Sequence, residues 1–248
     1  MNKTLLRLLI IAFGLMGIWE LLVWITGVPK FILPSPLQVL DTLWARLDLI
    51  AEHAGTTLLE IVLGMLLGCA AGFLCALLLQ MVKPIRPWLL PILVVSQAIP
   101  VFALAPILMV WLGYGMTSKV VMASLIIFFP VTAACYDGLR QTPQDWIDLA
   151  KTMQASQWQQ LRYIRLPAAL PSLASGLRVA ASVAPIGAIV GEWVGSSSGL
   201  GYLMLQANAR MQVDLMFACL FVLALMALAL YFSVDYYLRK RMPWVAYR

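Results

Sequence analysis

The chain has 248 residues, of which 62% are hydrophobic and 11% charged, and its mean hydropathy is +0.90. A soluble domain carries about one charged residue in four, so this composition excludes an ordinary soluble domain and indicates a polytopic membrane protein. The net charge of +6 is spread along the chain, whereas nucleic-acid binding requires basic residues clustered on one face. The expected surroundings are a lipid bilayer, with no nucleic acid.

Six apolar stretches are long enough to cross a membrane as helices. A bilayer core of about 30 Å needs roughly 20 apolar residues per helix, and the stretches are 8–27, 57–81, 88–112, 118–136, 177–196 and 214–238. Their apolar runs are continuous rather than alternating, and backbone in lipid must satisfy its own hydrogen bonds. We predict an all-α, polytopic membrane helix bundle with six transmembrane helices, forming one domain over residues 1–248.

Basic residues orient the bundle, because cytoplasmic loops carry an excess of Lys and Arg. With the N-terminus in the cytoplasm, four of the 17 basic residues lie outside: Lys30, Arg46, Lys119 and Arg210. The others lie inside: Lys3, Arg7, Lys83, Arg86, Arg140, Lys151, Arg162, Arg165, Arg178, Arg239, Lys240, Arg241 and Arg248. Both termini and the loop 142–167 are therefore predicted to be cytoplasmic. A cleaved signal peptide is disfavoured, because the first stretch is too long and "WITGVPK" lacks a small-residue cleavage pattern.

The sequence predicts no metal, disulfide or cofactor. Four cysteines lie in or at the ends of apolar stretches without metal-ligand spacing, which predicts core thiols: Cys69, Cys75, Cys135 and Cys219. His53 lies near Asp48 and Glu52 in a predicted outer loop. These three side chains could bind a metal, but a solvated loop is the favoured interpretation.

Two glycine ladders are predicted to be helix-packing faces, because glycines four residues apart share one helix face and let backbones approach closely. The ladders are Gly64, Gly68 and Gly72 in the second helix and Gly187, Gly191 and Gly195 in the fifth, followed by Gly199. The sequence leaves open whether their partner helix belongs to the same chain or to a second subunit. It also leaves open that glycine is simply common in membrane helices.

The third and fifth helices contain prolines, which remove backbone donors and free carbonyl groups: Pro91, Pro100, Pro106 and Pro185. Freed carbonyls are tolerated where they line a wet cavity or are buried in protein. Ser96 and Gln97 precede Pro100, so this segment is either a structural kink or part of a translocation path.

Three acidic residues lie within predicted spans, where an ionisable group suggests function. Glu20 and Glu60 are close enough to the outer interface to reach it. Glu192, beside Trp193 and the second glycine ladder, is either a substrate contact or an inter-helix hydrogen-bonding group, and the structural role is favoured. No basic partner within a span is apparent.

The loop 142–167 is predicted to form two short helices. Thr142 as N-cap, Pro143 and Asp145 indicate the first start, and Trp146, Leu149, Ala150 and Met153 form one apolar stripe. After Gln154 and Ala155 the pattern restarts: Ser156 and Gln159 form a second capping box, Trp158, Leu161 and Ile164 continue an apolar face, and Pro167 ends it. Because Asp145 and Asp148 outnumber Lys151, anionic lipid would not attract the first helix, and a groove on a partner protein is the better destination.

These residues resemble the "EAA" loop of permease subunits of binding-protein-dependent ATP-binding-cassette (ABC) importers. That pattern is Glu-Ala-Ala, three residues, Gly, nine residues, Ile, one residue and Leu-Pro. Asp148, Leu149 and Ala150 stand at its first three positions, Gln154 at the glycine, and Ile164, Leu166 and Pro167 at its end. In this family the loop is a coupling helix that docks into a cytoplasmic ATPase. Gln154 is the largest departure, because glycine is favoured where the chain turns sharply.

The stretches "LPSPLQVLDTL", "FFPVTAACYDGLR" and "GEWVGSSSGLGYLM" resemble the subfamily that handles nitrate, sulfonates, taurine and pyrimidine precursors of thiamine. The last of them, continuing "LQANARMQVDLMF", is most similar to hydroxymethylpyrimidine-type permeases. The resemblance implies a type I ABC importer (MetI-like) fold in a bacterial inner membrane. Its implied partners are a second permease copy, a cytoplasmic ABC ATPase dimer that binds ATP and Mg, and a periplasmic or lipid-anchored substrate-binding protein.

The sequence contains no phosphate-binding loop of the G-x-x-x-x-G-K-[ST] type and no evident nucleophile–base set, so we predict a permease without catalysis. The alternatives are a self-contained channel or ion-coupled carrier, and a membrane enzyme. Candidates for the translocation path are Ser96, Gln97, Pro100, Glu192, Trp193 and Asn208. Gln97, Trp193, Tyr202 and Asn208 would suit a flat heteroaromatic ring, although each also has an ordinary packing role.

Overall fold

The computed structural model describes residues 3–244, with the side chains of residue 10 and of 13–244. Arg248 and the side chains of Lys3 and Arg7, which entered the orientation argument, lie outside that part. Within it the chain is all-helical, as predicted. The helices are α1 Lys3–Thr26, α2 Pro36–Ala45, α3 Leu47–Met81, α4 Arg86–Ala98, α5 Val101–Leu112, α6 Met116–Arg140, α7 Gln144–Thr152, α8 Gln157–Gln160, α9 Leu166–Gly195, α10 Leu200–Ala209 and α11 Val213–Arg241.

Four continuous helical segments in the described part are long and apolar enough to span a membrane: Leu47–Met81, Met116–Arg140, Gln157–Gly195 and Val213–Arg241. The α4–α5 pair makes a fifth span if it is counted as one, and the described apolar part of α1 is the shorter Phe13–Thr26. Four of the six predicted spans are therefore confirmed as long apolar helices, and the count of six stays a prediction.

The second span begins at Leu47 rather than at 57. Its 35 residues rise roughly 50 Å at 1.5 Å per residue, well beyond the hydrocarbon thickness of about 30 Å. Asp48, Glu52 and His53 therefore lie on a helix, and the prediction of an outer loop there was wrong. Polar side chains lower the local hydropathy without interrupting backbone hydrogen bonding, so hydropathy alone places the start of this helix too late.

The third predicted span is broken. Helices α4 and α5 meet at an angle of 100°, and Ile99, between them, has extended backbone with φ −80° and ψ 119°. The ring of Pro100 disfavours helical geometry in the residue before it. The other two prolines of the segment, Pro91 and Pro106, stay inside helices.

Pro167 does not end a helix, contrary to the prediction. The chain runs helically from Gln157 to Gly195 through a π-helical segment, Leu161–Arg165. The N–H of Leu166 donates to the carbonyl of Leu161, five residues back, so the backbone is locally widened before the proline ring. Pro167 then occupies the first turn of α9, where its missing N–H costs least.

Helix α6 is the packing centre, because both glycine ladders lie against it. A Cβ added at Gly64 would stand 2.5 Å from the Ala123 Cβ, and one at Gly187 would stand 2.6 Å from the Ala123 Cα. Three more ladder glycines make similar approaches to α6: Gly68, Gly72 and Gly191. Gly195 lies instead against Tyr114, just before α6, and Met109 of α5. The partner helix that the sequence left open thus belongs to the same chain.

Gly187→Ala is expected to destabilise the bundle by about 2 kcal/mol or more, because overpacking against backbone costs about 1–3 kcal/mol. Ala123 cannot move away from the new methyl group, because Gly64 packs against its other side. The measurement is the thermal unfolding midpoint of the purified chain in detergent. Gly55→Ala is the matched control: Gly55 is helical with open space around it, and it should be neutral or stabilising by up to about 1 kcal/mol. Equal midpoints for the two variants would contradict the packing role.

Candidate functional site

Helix α7 presents an apolar ridge to the outside of the chain. Trp146, Leu149 and Met153 are 53%, 62% and 76% exposed, and we call these three residues the docking ridge. The other apolar side of α7 faces inward, where Ile147 and Ala150 are buried. Ala150 was predicted on the exposed stripe and lies instead between α7 and the body of the protein. The helix is therefore anchored on one side and unpartnered on the other.

The first predicted cap of this loop is absent, whereas the second is present. Thr142 donates its hydroxyl to the Leu139 carbonyl, and Pro143 occupies the N-cap position without a side-chain hydrogen bond. At the second start, the Gln159 N–H donates to the Ser156 hydroxyl oxygen at 3.3 Å, and the Ser156 N–H donates to the Gln159 side-chain oxygen at 2.7 Å. The capping box at Ser156 is thus confirmed, and the rigid start belongs to the segment that continues into α9.

The turn between the two loop helices has the geometry for which glycine is favoured. Gln154 has a φ of +56°, in the left-handed region. The Ala155 N–H bonds back to the Ala150 carbonyl at 2.9 Å, a five-residue return that closes the end of α7. Gln154 thus forms the sharp turn that the family pattern assigns to glycine. The replacement costs conformational energy but does not change the turn geometry.

The charged side chains of α7 form hydrogen bonds with one another. Lys151 Nζ donates to Asp148 Oδ1 at 2.8 Å, and Gln144 Nε2 donates to the same oxygen at 3.0 Å. The Lys151 and Gln144 hydrogen bonds lower the pKa of Asp148 below its ordinary value. Asp148 is therefore an exposed anion beside the docking ridge.

An apolar cavity of about 770 Å³ separates the docking ridge from the start of α9. Trp146, Leu149, Pro167 and Trp244 are among the residues that line it. Leu166 is half-buried against the core, and Ala155 is half-buried at the turn. Three of the predicted coupling residues, Trp146, Leu149 and Pro167, thus line one cavity, whereas Ala150 is buried beneath the docking ridge.

The predicted translocation-path residues do not form one group in the single chain. Ser96, Gln97 and Pro100 are exposed at the α4–α5 bend, and the Ser96 hydroxyl donates to the Leu93 carbonyl at 2.7 Å. Trp193 is 43% exposed, and Asn208 is exposed on α10. Glu192 differs from all of these, being 1% exposed.

Glu192 holds the N-terminus of α10. Its Oε2 accepts the backbone N–H groups of Gly201 and, at 3.4 Å, of Tyr202, while its Oε1 accepts the Thr57 hydroxyl at 2.6 Å. A helix N-terminus leaves its first N–H groups unsatisfied and attracts negative charge. The inter-helix hydrogen-bonding role, favoured at the sequence level, is therefore the role that these contacts support.

Two side chains of α3, His53 and Thr57, also bind the start of α10. The Gly199 N–H donates to His53 Nδ1 at 2.9 Å, and the Leu200 N–H donates to Thr57 Oγ1 at 2.8 Å. The loop before α10 passes so close to Glu192 that a Cβ at Gly199 would overlap its carboxyl group. His53 is thus a hydrogen-bond acceptor for the backbone of this loop. No cluster of three or more metal-binding side chains occurs in the described residues.

A buried ion pair lies next to Glu192. Lys119 Nζ donates to Glu60 Oε1 at 2.9 Å, and the two side chains are 5% and 0% exposed. The prediction that Glu60 reaches the outer interface was wrong. The sequence also showed no basic partner within a span, whereas Lys119 lies buried on α6 and pairs with Glu60. Lys119, which was counted on the outer side at the start of the fourth predicted span, is buried in the first turns of α6, where its aliphatic stem packs against Gly191.

The chain is similar to known transport proteins over most of its length. Residues 60–242 match the family described as binding-protein-dependent transport system inner membrane component. A "probable ABC transporter permease protein" of Haemophilus influenzae is 58% identical over 97% of this chain and 98% of its own. The formylaminopyrimidine transport permease protein ThiX of Halalkalibacterium halodurans is 38% identical over 93% and 92% of the two chains. The riboflavin transport system permease protein RibX of Chloroflexus aurantiacus is 37% identical over 94% and 87%.

The fold is also similar to a solved structure. An inward-facing structure of the MetNI methionine ABC transporter aligns with a TM-score of 0.62 over 81% of this chain and 97% of that one, at 20% identity. Similarity at that identity establishes the helix arrangement and nothing about substrate.

Proposed function

Because the chain belongs to the family of binding-protein-dependent transport system inner membrane components, we propose that it forms the membrane path of an ATP-driven importer for a pyrimidine precursor of thiamine. The chain is an inner-membrane, multi-pass ABC importer permease, and ATP hydrolysis belongs to a separate subunit of such importers. The substrate, the second permease copy and the docking residues are parts of the proposal.

The docking ridge is the observation that carries the mechanism. Trp146, Leu149 and Met153 are exposed on a helix whose opposite face is buried, and such a helix fits the groove of a partner. We place the ATPase there. When two ATPases close on ATP, the two α7 helices move together and the bundles swing from inward-open to outward-open. The ATPase shifts that equilibrium by binding one state better, so the continuous helix from Gln157 to Gly195 supplies the rigid connection.

A second copy of the chain would enclose the path. Ser96 and Gln97 place polar groups on an otherwise apolar exposed segment around Pro100. Polar groups at membrane depth face protein or water rather than lipid. This supports a path between two copies, with the α4–α5 bend at its wall and Trp193 and Asn208 as further candidates. In this arrangement both termini are cytoplasmic.

The substrate proposal depends on similarity and on the chemistry of the exposed candidates. Two of the relatives above are named for transport of formylaminopyrimidine and of riboflavin, both nitrogen-containing ring systems. Trp193 can stack on a flat ring, and the side-chain amides of Gln97 and Asn208 can both donate and accept hydrogen bonds. A hydroxymethylpyrimidine-like solute fits this chemistry; a sulfonate, taurine or nitrate is the alternative within the same family.

Reconstitution tests the proposal. The chain is placed in lipid vesicles with its cognate ATPase and binding protein, and uptake of labelled hydroxymethylpyrimidine is measured with and without ATP. We expect ATP-dependent uptake that excess unlabelled pyrimidine suppresses and that taurine or nitrate leaves unchanged. ATP-dependent uptake of taurine or nitrate instead would overturn the substrate and leave the importer mechanism standing.

The carrier alternative predicts a charged pair deep in the bundle, and Lys119 and Glu60 form one. That pair also has a structural role, because it joins α3 to α6 and the stem of Lys119 packs against Gly191 of α9. Vesicles containing the chain alone separate the two functions: a carrier would accumulate solute there under an ion gradient, and an importer permease would not.

A further inference from the structure

Four helices meet at a buried charged cluster that the transport mechanism does not use. Glu60 comes from α3, Lys119 from α6 and Glu192 from α9, and the N-terminus of α10 lies against Glu192. Glu60 is 0% exposed, Lys119 4% and Glu192 1%. The cluster is thus removed from solvent, and an unbalanced charge in such a buried site is strongly unfavourable.

The formal charges in this cluster do not balance. Two ionised carboxylates face one ammonium group, which leaves one negative charge without a cation. Glu60 lies one helical turn after Thr57, which donates to Glu192, and Lys119, the partner of Glu60, packs against Gly191 beside Glu192. Two neighbouring carboxylates in a dry site rarely both ionise, because like charges repel strongly there. A single bound proton would neutralise the cluster.

The hydrogen bonds indicate where such a proton would be held. Glu192 accepts from Thr57 on one oxygen and from two backbone N–H groups on the other, which is the pattern of an ionised carboxylate. Glu60 accepts from Lys119 through Oε1, whereas its buried Oε2 has no hydrogen-bond partner among the described residues. We propose that the Glu60–Glu192 pair is a proton-binding site, in which Glu60 Oε2 carries one proton and forms a hydrogen bond through it to the Glu192 carboxylate.

The surrounding groups do not supply the missing positive charge. His53 accepts the Gly199 N–H through Nδ1, so that nitrogen presents a lone pair and no proton. Tyr202 packs against the His53 ring at 5.9 Å, and Tyr114 lies over Gly195. Helix α5 carries no titratable side chain. On α11, Cys219 belongs to the adjoining apolar cluster and Asp214 is hydrogen-bonded to α2.

The bound proton joins α3 to α9 and, through Glu192, to α10. Its removal leaves two facing anions and one cation in a buried site, which weakens this junction. The stability of the folded chain is therefore expected to fall when the pH is raised far enough to remove that proton.

Infrared difference spectroscopy of the full chain in lipid nanodiscs tests the site. We expect a protonated-carboxyl band near neutral pH that shifts in D₂O and disappears in Glu60→Gln, whose side-chain amide still donates to Glu192 and accepts from Lys119. Glu52→Gln, at an exposed position of the same helix, is the control and should keep the band. Absence of the band in the unaltered chain, or its persistence in Glu60→Gln, overturns the proposal.

Thermal unfolding against pH gives an independent readout. The unfolding midpoint of the unaltered chain should fall as the pH is raised, and that alkaline fall should be much reduced in Glu60→Gln and preserved in Glu52→Gln. Identical pH profiles for all three proteins would overturn the proposal. Neither measurement requires transport, so the proton site and the importer function fail separately.

Discussion

Leu149→Arg is expected to abolish solute uptake while the chain still inserts and folds. Leu149 is 62% exposed at the centre of the docking ridge, so arginine has space in the isolated chain. In the complex the same side chain would bury a charge in an apolar groove. Loss of a central interface anchor costs 2 kcal/mol or more, or roughly 30-fold in affinity. The measurements are ATPase co-purification and ATP-dependent uptake in vesicles.

Gln144→Arg is the matched control, because it introduces the same charge on the same helix. Gln144 is exposed but lies on the other side of α7, beside Lys151 and the buried Ile147. This variant should keep ATPase association and most of the uptake. Normal uptake by Leu149→Arg with normal ATPase association would show that force does not enter the bundle through the docking ridge.

The sequence was sufficient wherever structure depends on near neighbours. Apolar runs predicted the long helices, and glycines spaced by four predicted close packing, because both features repeat along a single helix face. The capping box at Ser156 was predictable for the same reason, since both partners lie within one turn. Hydropathy failed at helix ends: polar residues near Asp48 and the proline at 167 read as boundaries, although neither interrupts the helix.

The buried cluster was not predictable from local pattern. Glu60, Lys119 and Glu192 are far apart in the chain, and only the packing of α3, α6 and α9 brings them together. Hydropathy assigned Lys119 to the outer side and Glu60 to an interface because each lies near the end of an apolar run. One feature of the sequence did indicate this site. The two closely spaced glycines, Gly199 and Gly201, allow the backbone to approach a buried carboxylate.

The apolar stripe of α7 was predictable, but its inward and outward faces were not. Trp146, Leu149 and Ala150 all fit an apolar stripe on a helical wheel. The structure divides α7 differently, because Ile147 and Ala150 contact the body of the protein and leave the larger side chains outside. A single sequence contains no information about which apolar residues are reserved for a partner.

Gly199→Ala is expected to release the N-terminus of α10 and to cause the largest loss of stability among the glycine substitutions. Gly199 has φ +106° and ψ 163°, a region essentially restricted to glycine and costing 1–3 kcal/mol for other residues. Its new methyl group would also displace the Glu192 carboxylate. The N–H groups of Gly201 and Tyr202 would then lose their acceptor, at about 1–3 kcal/mol for each buried group.

Gly113→Ala separates the two causes. Gly113 has φ +82° and ψ 171°, nearly the same backbone conformation, but nothing lies within 4 Å of the position its Cβ would take. Both variants therefore carry the conformational cost, and only Gly199→Ala disturbs Glu192. The difference in unfolding free energy should be about 3 kcal/mol, with increased hydrogen exchange confined to α10. If the two variants are equally stable, Glu192 does not anchor α10, and the junction between α3, α9 and α10 must depend on apolar packing and on the hydrogen bonds to His53 and Thr57.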